Sequence, residues 1–569
     1  MRNALAVLLV LLSAFLLFWR LDSIPLWRDE TTTANWGRLM AESDVWIPYV
    51  YDGKQLIVQA ADGHDVNSHM LPAMQSWLQF YVSGIGFKLF GVSTWSARAP
   101  FALLGGLTIF VLYRLGVVLF GGGLRPFLLP YIGLLSINFL YAARNSRYYV
   151  IILLAASLLL LEMCRYFRDP DLAASKGLYI RLGLYGALLY FSNYLGFAGM
   201  WLALGVFALI EGDRRFLRNF IGLSAIMGVV LGIEFWALHS EFAGMFPPPL
   251  ERPLIDTYKS ALAGRGRDFW RGIPLVPLVP VGFFLVTRRV SSAPLGLTAA
   301  LACGSLVAVS PFFYSAGDLG RLSRPAFWAF AALCLTVPGG FLWAWKKLPT
   351  RGPWSRAALL AGLILFLSPL VGIAAGKDKS NSRHYYQTLP AAALLCALAA
   401  AQTERTAGKS AAAALLAGVL IWPNLDWGRS GGEHIVERQF TRNDSYSQPL
   451  IDYLQANVQP DDKVAFLRNV KGMTVYFYMP EMNWVALLDS DAPHNQQFHG
   501  RIPDDQFDDY RGVAWYVLWD PRGVHPRGLD DRFEKVWEYS YDDIPVSWWD
   551  RGRTPSTRTY EVFRKKPGA

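Results

Sequence analysis

The chain has 569 residues, 53% hydrophobic and only 17% charged, with a mean hydropathy of +0.24. Soluble domains carry about 25% charged residues, so this composition argues against a soluble globular protein and for a bilayer as the main solvent. The net charge of +10 sits in Lys and Arg at the ends of apolar runs, as orientation signals do, and no basic stripe with interleaved aromatics suggests nucleic acid.

The first apolar run ends at Trp19. No small-x-small cleavage site follows in Arg20–Pro25, so an uncleaved first span is expected rather than a removed signal peptide. A long polar stretch, residues 21–96, interrupts the chain where a second span would normally begin. It reads W-R-D-E-T-T-T-A-N-W-G from Trp27, H-D-V-N-S-H from His64 to His69, and K-L-F-G-V-S-T-W-S-A-R-A-P from Lys88 to Pro100. Helices are predicted over Thr31–Met40, just after Asp29-Glu30, and over Pro72–Phe90, with Met74, Trp77, Leu78, Tyr81 and Ile85 as the apolar face of the second. Both are expected to lie in the membrane interface.

A span needs about 20 apolar residues. Candidates fall near 4–20, 97–119, 125–143, 146–164, 177–192, 193–210, 217–238, 272–288, 293–313, 326–345, 355–374, 385–401 and 409–424, about thirteen in all by that length criterion. With the N-terminus cytoplasmic, the inward connections hold Arg125; Arg165, Arg168, Lys176 and Arg181; Arg214, Arg215 and Arg218; Arg288 and Arg289; Lys346, Lys347, Arg351 and Arg356; and Arg405 and Lys409, which fits the positive-inside bias. The 21–96 stretch and the tail then face outward. The outward connection Phe242–Arg271, with F-P-P-P-L and G-R-G-R, reads as a lid or a plain linker.

Residues 1–425 are therefore expected to form a polytopic α-helical membrane domain, and 426–569 a soluble α/β domain outside the membrane. In that tail, Pro449–Asn457 has helical spacing, and Lys463–Leu467, Val513–Trp519 and Thr559–Phe563 read as strands. Cys164, Cys303, Cys334 and Cys396 lie in or beside apolar runs without C-x-x-C spacing, so buried thiols are expected.

Acids near lipid are costly unless paired or functional. Asp29 and Glu30 read either as helix-capping acids or as catalytic groups, with Asp29 a general base facing a cavity above the membrane. His64, Asp65 and His69, with Asp29, could hold a divalent ion (Mg²⁺, Mn²⁺ or Zn²⁺), or be ordinary polar loop. Several cations on the outward side break the orientation bias: Arg144, Arg147, Arg321, Arg324, Lys377, Lys379 and Arg383. They read as phosphate ligands, Arg147 and Arg383 foremost, or as side chains snorkelling to headgroups.

Taken in order, Asp29-Glu30, the Lys88–Pro100 motif, R-N-S-R-Y-Y (Arg144–Tyr149) and R-H-Y-Y-Q-T-L-P (Arg383–Pro390) resemble the GT-C glycosyltransferases, in particular the bacterial branch of the protein O-mannosyltransferase and lipid A aminoarabinose transferase superfamily. The resemblance implies transfer of a sugar from a polyprenyl-phosphate-linked donor to a glycan, lipid or protein acceptor on the outer side of a bacterial inner membrane. Asp29 would be the base and Glu30 its assistant. His64, Asp65, His69, Tyr148 and Tyr385 would serve the acceptor and loop. Relatives carry H-P-P or K-P-P where this chain has H-M-L-P (His69–Pro72), which puts the role of His69 in doubt. The competing readings are a ligase of whole lipid-linked glycans, a transporter or flippase, and a non-catalytic scaffold. A transporter would be expected to show internal repeats and broken helices at mid-membrane; no convincing repeat stands out, and the polar residues concentrate at one surface.

Overall fold

The computed structural model describes residues 2–23, 25–26, 28–43, 45–48, 71–72, 75–239, 352–374, 386–407, 447–466, 472–486, 513–519, 529–543 and 556–568. The helices in them are α1 (Arg2–Phe18), α2 (Arg28–Ser43), α3 (Leu78–Phe90), α4 (Thr94–Phe120), α5 (Leu128–Leu134), α6 (Ile137–Arg144), α7 (Tyr149–Arg168), α8 (Lys176–Tyr190), α9 (Tyr194–Glu211), α10 (Arg214–His239), α11 (Pro353–Ala374) and α12 (Leu389–Ala407). Beyond them lie α13 (Gln448–Asn457), α14 (Gly472–Tyr478) and α15 (Leu529–Arg532), with strands β1 (Lys463–Phe466), β2 (Asn483–Ala486), β3 (Val513–Trp519), β4 (Phe533–Asp543) and β5 (Ser556–Lys565).

A run apolar on every side is stable only where something apolar surrounds it. In α7 other helices do so: nearly all its residues are buried, against α4, α8, α11 and α12. In α10 the same composition leaves Ile226, Val229, Val230, Ile233 and Trp236 outward, as a lipid-facing helix would.

Among the described residues α4, α7, α9 and α10 are long and apolar enough to cross a membrane, and the pair Arg125–Leu134 and Asn138–Arg144 makes a fifth if taken as one span. The run expected as a straight span over 125–143 is instead bent by 66°. Ser136 adopts extended backbone (φ −74°, ψ 123°), which ends one hydrogen-bond ladder and begins another. The run expected over 177–192 yields α8, of 15 residues; at about 1.5 Å per residue it is shorter than a hydrocarbon core of about 30 Å. The expected spans at 272–288, 293–313, 326–345 and 409–424, and the Phe242–Arg271 connection, lie outside the described residues.

Among the described residues, several of the connections expected inside meet at one end of the bundle. Arg125 pairs with Glu404 at 2.9 Å, Arg356 with Glu211 at 2.7 Å and Arg181 with Glu162 at 2.9 Å, while Trp354 Nε1 donates to the Leu119 carbonyl at 2.9 Å. Basic side chains and acids from α4–α5, α7–α8, α9, α11 and α12 thus share one side, which the alternation requires.

The two loop helices differ from expectation. α2 starts at Arg28, so both acids lie inside its first turn. It is not an interfacial surface helix, for Thr31, Thr32, Thr33, Asn35 and Trp36 are all buried. α3 starts at Leu78, not Pro72, and buries Gln79, Phe80, Ser83, Gly84, Gly86 and Phe87. Its large residues Ile85, Leu89 and Phe90 stand exposed, Ile85 at 49%. Where lipid is the neighbour, small and polar side chains can pack inward beside the buried Phe80 and Phe87 while other large apolar ones turn out. The close approach of α2 and α3 requires glycine: a Cβ on Gly37 would lie 2.8 Å from the Gly84 nitrogen and from Ser83 Cβ. Gly37→Ala should therefore destabilise the protein by about 1–3 kcal/mol, as overpacking does, measured by thermal unfolding in detergent.

The five strands form one sheet in the order β2-β1-β3-β5-β4, with β1 parallel to β2 and β3, and β5 antiparallel to β3 and β4. Leu450, Ile451 and Leu454 of α13 pack with Val464, Trp515, Val517 and Val562 in a core that continues into Trp36, Met40 and Phe80 of α2 and α3. The sheet is thus joined to the membrane-side helices by shared apolar burial. The expected boundary between residues 425 and 426 lies outside the described residues. Cys164 and Cys396 are buried free thiols.

Candidate active site

The sequence R-D-E-T-T-T would ordinarily face water. Here α3, α14, the start of α4 and the α6–α7 turn enclose it, and Asp29 keeps 9% of its surface while Glu30 keeps none.

The partner of Glu30 comes from the Lys88–Pro100 motif. Ser93 caps α4 and exchanges hydrogen bonds with Ser96 in a capping box, which fixes the start of the helix and places Arg98 about one turn further on. Arg98 Nε donates to Glu30 Oε1 at 2.9 Å and Nη2 to Oε2 at 2.6 Å. Its Nη1 donates to the Leu21 carbonyl at 2.9 Å and Nη2 to that of Pro25 at 3.2 Å. The Ser146 N–H adds a further donor to the carboxylate, at Glu30 Oε1 and 2.8 Å. A bidentate buried pair with further hydrogen bonds is the arrangement that tolerates desolvation. It leaves little of the Glu30 carboxylate to face a substrate, so Glu30 holds the site together.

Arg144 is similarly engaged. Its Nη1 donates to the Leu16 carbonyl at 2.8 Å, and Nη2 to Trp19 at 2.9 Å and Arg20 at 3.4 Å. It closes the C-terminal end of α1, where carbonyls lack helical partners and a cation is favoured.

Arg147 reaches α2 instead. Its Nη1 donates to the Asp29 carbonyl and Thr33 Oγ1, both at 3.0 Å, and to Gln75 Oε1 at 3.4 Å, and the guanidinium lies 5.2 Å from the centre of the Tyr148 ring. Its Nε, although buried, has no hydrogen-bond partner among the described residues. The Tyr149 ring lies 4.8 Å from that of Tyr148 and 5.0 Å from that of Tyr386. Tyr149 Oη, Ser146 Oγ and Gln387 Oε1 are also buried without a hydrogen-bond partner there. A buried polar group without a partner is costly, so the unpartnered Arg147 Nε is a donor that a polar ligand would satisfy.

Of the residues expected to act, Asp29, Glu30, Arg147 and Tyr148 are brought together, with Arg144 close behind the Arg98–Glu30 pair. His64, Asp65, His69, Arg321, Arg324, Lys377, Lys379, Arg383 and Tyr385 lie outside the described residues. No group of three His, Cys, Asp or Glu side chains able to hold a metal occurs among the described residues. Asp29 is the one candidate ligand within them, and one carboxylate does not specify a metal site. The sequence reading did not single out Arg98, Gln75, Ser146, Tyr149, Tyr386 or Gln387, although all but Gln75 fall inside motifs it had isolated.

No protein-family profile and no curated protein matches the chain significantly. Solved structures do. ArnT from Cupriavidus metallidurans bound to undecaprenyl phosphate matches with a TM-score of 0.50 at 15% identity, covering 99% of this chain and 98% of that one. The same protein in the apo state gives 0.50 at 16% identity with the same coverage. The oligosaccharyltransferase of Archaeoglobus fulgidus, in complex with Zn and sulfate, gives 0.46 at 14% identity over 91% of this chain and 68% of that one. The fold is that of the GT-C glycosyltransferases.

Proposed function

We propose that the protein transfers a sugar from a polyprenyl-phosphate-linked donor to an acceptor hydroxyl on the outer side of a cell membrane, with its N-terminus cytoplasmic and residues 426–569 extracytoplasmic. The observation that carries this reading is Asp29, almost buried in the first turn of α2, with Arg147 bonded to its carbonyl and still holding an unpartnered N–H. The likeness to a protein that binds undecaprenyl phosphate supports the choice of donor.

In the reaction the acceptor oxygen attacks the anomeric carbon as the bond from that carbon to the phosphate oxygen breaks. Asp29 takes the acceptor proton, and polyprenyl phosphate leaves with the bonding electrons. A phosphate departs without a strong acid, so one base and a cation suffice. A single displacement inverts the anomeric centre. Arg147 would hold the phosphate through Nε and whatever Nη donors its protein partners leave, with Arg383 as a second ligand. Glu30 acts through Arg98 and the Ser146 N–H, which fix the helix carrying Asp29.

The purified protein in lipid nanodiscs, supplied with radiolabelled polyprenyl-phosphate sugars and candidate glycan, lipid and protein acceptors, should release polyprenyl phosphate and label one acceptor class. Absence of transfer across the whole panel would overturn the reading. Arg147→Ala should raise the KM for the donor about 10- to 100-fold, the worth of a charge-assisted hydrogen bond to phosphate. An unaltered KM would remove Arg147 from donor binding.

A further inference from the structure

The sheet-bearing part of the chain meets the site through one short helix. The Phe477 carbonyl of α14 accepts from Arg38 Nη1 at 3.4 Å, and the Arg38 guanidinium lies 4.8 Å from the centre of the Tyr476 ring. The last residue of α14 reaches furthest. The Leu26 N–H donates to the Tyr478 hydroxyl at 2.9 Å, and that hydroxyl shares a hydrogen bond with Thr94 Oγ1, also at 2.9 Å.

These two contacts fall on the segments that build the Arg98–Glu30 pair. Leu26 lies just ahead of α2, which carries Asp29 and Glu30. Thr94 opens α4, about one turn before Arg98. Burial raises the pKa of the Tyr478 phenol, so it is protonated near neutral pH. Because the Leu26 N–H can only donate, the phenol proton is free to go to Thr94 Oγ1. One hydroxyl thus accepts from the entry to α2 and bonds to the start of α4.

We propose that Tyr478 is a positioning residue that the C-terminal domain supplies to the membrane-side site, holding the entry of α2 against α4 so that Asp29 meets the acceptor. What is positioned rests on the function proposed above; the tether itself does not. The ring is a separate matter, since it packs against Phe477 at 5.1 Å and a phenylalanine would keep that contact. A displacement of about 1 Å at a reacting group can cost about 100-fold in rate, so a hydroxyl set back from the chemistry can still govern turnover.

The test is Tyr478→Phe in the full-length protein in nanodiscs, read by hydrogen-exchange mass spectrometry and by transfer kinetics. Exchange in peptides spanning residues 21–35 should rise by about 10-fold as the Leu26 N–H loses its acceptor, with the C-terminal sheet and the melting temperature unchanged. Turnover should fall by about 10-fold while the donor KM stays within about twofold, the mark of an interaction felt in the transition state. Thr94→Val should reproduce the fall and Thr94→Ser should restore the rate. Unchanged local exchange overturns the tether whatever the activity. A general loosening with a lower melting temperature overturns positioning in favour of a structural prop, and so does faster local exchange with unaltered turnover. Should the wild-type protein transfer no polyprenyl-linked sugar, the functional reading falls alone, and the exchange arm still decides the tether.

Discussion

Asp29→Asn should fold and bind donor yet lose transfer, with kcat falling by about 10²- to 10⁴-fold, the usual contribution of a general base. The substitution is nearly isosteric, and two contacts at the start of α2 use the Asp29 backbone. Its carbonyl accepts from Arg147 Nη1 at 3.0 Å and from Thr33 Oγ1 at 3.3 Å. Both survive the change, so lost activity with an unaltered melting curve would report lost proton transfer rather than a displaced helix. The measurement is turnover of a polyprenyl-phosphate sugar beside the melting curve of the same preparation. Wild-type turnover in this variant would remove Asp29 from the mechanism.

Arg98→Leu is the second large effect. It leaves a fully buried carboxylate that keeps the Ser146 N–H but loses both guanidinium donors, and breaking a buried pair from one side costs about 3–5 kcal/mol. The Leu21 and Pro25 carbonyls lose their donor as well. Removing both charges, as Arg98→Leu with Glu30→Leu, should recover part of that stability, because an apolar pair of similar volume avoids the desolvation cost. Activity should not return, since nothing then holds the first turn of α2. Thermal unfolding in detergent separates the three proteins. Equal melting temperatures for wild type and Arg98→Leu would show that the pair does not bear on stability.

Much of the membrane domain was legible because apolar runs of span length have few alternatives. α4, α7, α9 and α10 fall where the runs predict. α13 and β3 were read almost to the residue, since each presents a plain period of helix or strand. β4 was missed because F-E-K-V-W-E-Y-S-Y-D-D is a charged edge strand, with Lys535 reaching Glu538 and Glu561 across its exposed side, and charge on an edge hides the strand signal. The apolar face expected on α3 is divided, with Leu78, Trp77 and Tyr81 packed against the cores and Ile85 turned outward, because amphipathicity does not say which solvent lies on which side.

At the site, the sequence placed Asp29, Glu30 and Arg147 in play but could not separate their duties. Two adjacent acids look alike until a third segment supplies a guanidinium to one of them, and Arg98 lies far from Glu30 in the chain. Arg144 and Arg147 both break the charge bias, yet one caps α1 and the other reaches the Asp29 carbonyl and Thr33 of α2. Spacing alone cannot reveal which carbonyls an arginine will meet.

Arg98 and Arg144 together grasp five main-chain oxygens between Leu16 and Pro25. A grip on main-chain atoms is indifferent to the letters at those positions, provided the backbone keeps its path. The link from the first helix to the site can therefore drift widely in evolution while the two arginines and the curve they clasp persist. Descendants of one such ancestor would come to share a shape long after their spelling had parted.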